Sequence, residues 1–113
     1  KDFLYIDDFI EGLLKSFETI NDFEAINIAS SIPVTIKEVL SLILKVNDNQ
    51  LANIKYDTSM PTMLPKRLIN TDKIRRICDW EPKISLKEGL EATIKWYEEF
   101  YMNTTPEDKY DNF

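Results

Sequence analysis

Two adjacent carboxylates, Asp7 and Asp8, and an adjacent basic pair, Lys66 and Arg67, are the residues whose types and spacing could do chemistry. A carboxylate pair can share a proton and serve in acid/base work. Sequence neighbours at a helix start point in different directions, however, and anions there meet the positive end of the helix dipole. Capping is therefore the better reading of Asp7 and Asp8. The basic pair stands just before a short helical pattern and by itself reads as solvated surface. Other chemistry is excluded by composition. There is no histidine, so the commonest general base and metal ligand is missing, and no carboxylate cluster has metal-loop spacing. Cys78 is the sole cysteine, which rules out an internal disulfide; its neighbours make it a small buried filler. The two glycines, Gly12 and Gly89, do not form a phosphate-cradling loop. These residues supply no catalytic group and no metal site.

Charge and hydropathy narrow the partners. Lys plus Arg number 14 against 20 Asp plus Glu, a net charge of −6. An acidic surface argues against nucleic acid, which needs a basic face. No apolar run approaches the roughly 20 residues of a membrane span, and no signal peptide is visible, so a cytoplasmic location without membrane contact is expected.

The elements that must position these residues follow from periodicity. Phe3–Ile6 reads as a short strand. Asp7 or Asp8 then caps a helix whose inward face is Phe9, Ile10, Leu13, Leu14 and Phe17. Ala25–Ala29 is a second strand, with Ile26 and Ile28 on one face, followed by a turn at Ser30, Ser31 and Pro33. Thr35 and Glu38 form a capping box that opens a second helix, with Ile36, Val39, Leu40 and Ile43 inward. Ala52–Tyr56 reads as a third strand, and the stretch 57–67, with Pro61 and Pro65, as irregular. Asn70 or Thr71 caps a short helix to about Ile77. Ser85 and Glu88 make another capping box, opening a last helix with Leu86, Leu90, Ile94, Tyr97 and Tyr101 on one face. Trp80 and Trp96 read as its packing anchors. The expected unit is α+β, with about four helices and three short strands over residues 1–103, and a disordered polar tail over 104–113.

Three stretches carry a resemblance. Lys1–Asp8 (K-D-F-L-Y-I-D-D), Asp57–Ile74 (D-T-S-M-P-T-M-L-P-K-R-L-I-N-T-D-K-I) and Trp80–Tyr97 (W-E-P-K-I-S-L-K-E-G-L-E-A-T-I-K-W-Y) occur in the order and spacing of the extended short-chain dehydrogenase/reductases that remodel nucleotide sugars. The first resembles R-D-F-L-Y-V-D-D. The second is similar, without a gap, to the D-T-S-K-P-D-G-T-P-R-K-L-L-D-V-S-K-L segment of GDP-L-fucose synthases.

The resemblance implies an α/β enzyme of which this chain is the C-terminal substrate-binding part, with the Rossmann half absent. The family's Tyr-x-x-x-Lys pair is missing too: none of Tyr5, Tyr56, Tyr97, Tyr101 and Tyr110 has a lysine four residues on. NAD or NADP would belong to the parent enzyme, and none is expected on this chain alone. The implied ligand is a nucleotide-diphosphate sugar, whose phosphates Arg67, Lys66 and Lys1 would hold, since they match the family's basic positions. The implied reaction is that of a GDP-L-fucose-synthase-like epimerase/reductase. The alternatives are a 4-epimerase, a 4,6-dehydratase, or a diverged relic serving as a non-catalytic interaction domain. Surface left uncovered by the missing half invites self-association. Departures from the pattern are specific. Met60 stands where the loop carries a lysine, and Lys1 where it carries arginine. Ala29-Ser30-Ser31 replaces a Gly-Ser-Gly turn, and Asp79 replaces a glycine at a left-handed position that Asp tolerates.

Overall fold

The computed structural model describes residues 1–49, 51–57, 59 and 68–101. Among them are four α-helices: α1 (Ile6–Thr19), α2 (Ile36–Val46), α3 (Asp72–Cys78) and α4 (Leu86–Trp96), the last running into a π-helical turn at Tyr97–Tyr101. Both capping boxes form. Thr35 Oγ1 accepts the Glu38 N–H at 3.1 Å while Glu38 accepts the Thr35 N–H at 2.7 Å. Ser85 Oγ accepts the Glu88 N–H at 3.3 Å and Glu88 accepts the Ser85 N–H at 2.9 Å. Asp79 ends α3 in the left-handed region, at φ 45° and ψ 50°. No helix among the described residues is long and apolar enough to cross a membrane.

The three expected strands do not form among the described residues. The pairing found there is a single antiparallel bridge between Asp2 and Pro33. The physical reason is that a strand exists only through a neighbour that takes its N–H and C=O groups. Ile6, expected to end a strand, instead opens α1. The tail expected at 104–113 lies outside the described residues.

The core is small and centred on α3. Ile74, Cys78 and Trp80 are buried together, with Leu4, Ile20, Ile26, Ile28 and Ile77 packed around them. Cys78 is the filler expected of it. Trp80 is the expected anchor, whereas Trp96 is half-exposed.

Helix α1 corrects the expected facing. Its apolar side chains Phe9, Ile10, Leu13, Leu14 and Phe17 are 40–85% exposed, and its buried residues are Asp8, Gly12 and Ser16. A spacing of four puts those three small or polar residues on one face. That face is inward because it must pass close to Trp80. A Cβ on Gly12 would lie 2.9 Å from both the Trp80 ring and Ile28 Cγ2. Apolar periodicity identified a stripe here, but not which body the stripe faces.

Candidate functional site

Lys1 is fixed through its backbone. Its nitrogen donates to the Val34 carbonyl at 2.5 Å and its carbonyl accepts from the Val34 N–H at 2.8 Å. The next residue, Asp2, is the centre of a polar knot. One carboxylate oxygen accepts the Ser30 N–H at 2.9 Å and the Ser30 hydroxyl at 2.6 Å; the other accepts the Ser31 N–H at 3.0 Å. Ser31 carries the knot onward. Its hydroxyl bonds to the Ile69 carbonyl and lies 3.0 Å from Thr71 Oγ1, and Thr71 is buried. The first and second motifs and the 29–31 turn, remote in sequence, are thus tied by one run of hydrogen bonds.

The turn explains one departure from the family pattern. Ser31 has φ 60°, a region where a non-glycine residue is strained by about 1–2 kcal/mol. Its hydroxyl bonds to Ile69 and Thr71 offset that cost, so serine does here what glycine does by conformational freedom alone. Nothing in the structure explains Met60, which lies outside the described residues, as do Lys66 and Arg67. The described chain resumes at Leu68, so the knot fixes Ile69 only two residues beyond Arg67.

A second buried carboxylate orders the approach to α4. Asp8 accepts the Lys83 N–H at 3.1 Å and the Ile84 N–H at 2.9 Å. It is therefore not a cap of its own helix, whose N-cap is Tyr5 without a side-chain bond, and it does not converge with exposed Asp7. Helix geometry turns Asp8 inward along the Gly12–Ser16 line, where the unpaired N–H groups before α4 need an acceptor. Lys83 Nζ pairs with Glu11 at 2.6 Å, which raises its pKa through that hydrogen bond. Phe3, Leu4, Ile84 and Leu86, with Ser30 and Val34 at its rim, line a cleft of about 260 Å³ beside the knot.

At the start of the second motif, Asp57 accepts the Ser59 hydroxyl at 2.6 Å and the Ser59 N–H at 2.9 Å. Those bonds, the hydroxyl first, lower its pKa. Asp2 and Ser31 were not among the residues singled out for a site, and Asp8 was read as a cap. The usable signal was the Gly-to-Ser change at Ser31, because a turn that demands glycine elsewhere must be compensated here. No metal-binding group of His, Cys, Asp and Glu occurs among the described residues.

Comparison with known proteins gives this geometry a context. No family model matches the chain. A probable GDP-L-fucose synthase 1 of Oryza sativa subsp. japonica is 35% identical over 99 residues, covering 88% of this chain and 30% of the relative. A putative GDP-L-fucose synthase 2 of Arabidopsis thaliana is 34% identical over 97 residues, 86% of this chain and 29% of that protein. Human dTDP-D-glucose 4,6-dehydratase is 29% identical over 109 residues, 91% of this chain and 31% of that one. The Bordetella bronchiseptica enzyme WbmF, solved in complex with NADH, has the same fold over 87% of this chain and 29% of its own, with TM-score 0.74 and 24% identity. The chain thus spans less than a third of the length of these proteins.

Fold and motifs together define a segment of an extended short-chain dehydrogenase/reductase. The chain is similar to members of the NAD-dependent epimerase/dehydratase family, and among them the motif of residues 57–74 and the plant relatives point alike to the GDP-L-fucose synthases.

Proposed function

We propose that this chain is the substrate-binding C-terminal part of an NAD(P)-dependent nucleotide-sugar epimerase/reductase of the GDP-L-fucose-synthase kind. Its task is to hold the nucleotide diphosphate, with Arg67, Lys66 and Lys1 as the cations, so that the sugar faces the nicotinamide. The observation that supports this reading is the Asp2–Ser31–Ile69/Thr71 knot. It fixes the residue after Lys1 and the residues just after Arg67 to the same turn, as a two-sided clamp on adjacent phosphates requires.

This chain's own residues do not fit a dinucleotide. A phosphate cradle needs a glycine with open space over it, and both glycines are packed: Gly12 on Ile28 and Trp80, Gly89 on the Tyr5 ring. The cofactor, NAD or NADP, belongs to the further two-thirds of polypeptide that the relatives carry. So do the acid/base residues.

The test is kinetic, on the enzyme that contains this chain. Arg67→Ala raises the Michaelis constant for a GDP-sugar by the worth of a charged hydrogen bond, about 1.5–3 kcal/mol, or roughly tenfold to a hundredfold. Met60→Lys lowers it by restoring the loop's charge. An unchanged constant in Arg67→Ala returns that residue to solvated surface. A preference for dTDP- or UDP-sugars under the same assay selects the dehydratase or 4-epimerase alternative. Loss of turnover with all of them, despite intact folding, selects the non-catalytic relic.

A further inference from the structure

We draw no further inference here: the strongest candidate, the apolar groove that Phe3, Leu4 and Tyr5 form with Leu86, Gly89 and Leu90 of α4, is a face left open, and nothing in the structure shows what covers it.

Discussion

The two ends of this molecule differ in how completely they satisfy their own chemistry. Around Asp2, Ser30, Ser31 and Thr71, the donors and acceptors of the knot meet partners from distant parts of the chain. Along α1, by contrast, Phe9, Ile10, Leu13, Leu14 and Phe17 face outward, and the following residues 21–25 are exposed. The polar knot is finished within the chain; the apolar stripe of α1 is left open. A segment can thus close a polar network completely while leaving an apolar helix face uncovered among the described residues.

The sharpest way to break this contrast is at the closed side. Asp8→Ala leaves two backbone N–H groups, at Lys83 and Ile84, without an acceptor, and should cost about 2–4 kcal/mol in denaturant unfolding. Asp8→Asn should recover part of that. Gly12→Ala should cost about 1–3 kcal/mol, because the added methyl meets the rigid Trp80 ring as well as Ile28. In contrast Phe17→Ser, on the open stripe and five residues away, should change the stability of the isolated chain by less than about 0.5 kcal/mol. If Phe17→Ser cost as much as Gly12→Ala, the assignment of the two faces would be reversed.

The capping boxes give the smallest and most local effect. Glu38 has its pKa lowered by the Thr35 N–H first and the Thr35 hydroxyl second, Glu88 by the Ser85 hydroxyl and then its N–H. A depressed folded-state pKa contributes stability that is fully present above the ordinary carboxylate value of 4.5 and is lost as pH falls through the lowered one. Thermal midpoints should therefore fall between pH 4.5 and more acid conditions, and Glu88→Gln should blunt that fall.

What was legible in the sequence was local. The Thr35/Glu38 and Ser85/Glu88 boxes and the left-handed Asp79 depend on residues within a few positions of each other, and they stand as read. The strands were not legible as strands, because pairing is a relation between segments, and residues 3–6, 25–29 and 52–56 find no mate among the described residues. The facing of α1 was misread for a related reason: apolar spacing marks a stripe, and which face packs inward is decided by contacts with Trp80 and Ile28 from distant segments. Cys78 and Trp80 were read correctly as core, Trp96 was not, and Lys66 and Arg67 rest on family resemblance alone. The knot was hidden because Asp2 and Ser31 are 29 residues apart and acquire meaning only when the turn brings them together.

The central claim is that the knot holds the Lys1 side and the Lys66–Arg67 side as one clamp on a diphosphate. A double-mutant cycle of Ser31→Gly and Arg67→Ala in the whole enzyme, read as the dissociation constant for GDP, tests it most directly. Glycine relieves the strain at φ 60° while removing the hydroxyl that reaches Ile69 and Thr71, so it separates positioning from folding. The account predicts that each change weakens GDP binding and that the double variant binds no worse than Arg67→Ala alone. Ser31→Gly without effect, or two effects that simply add, would contradict it.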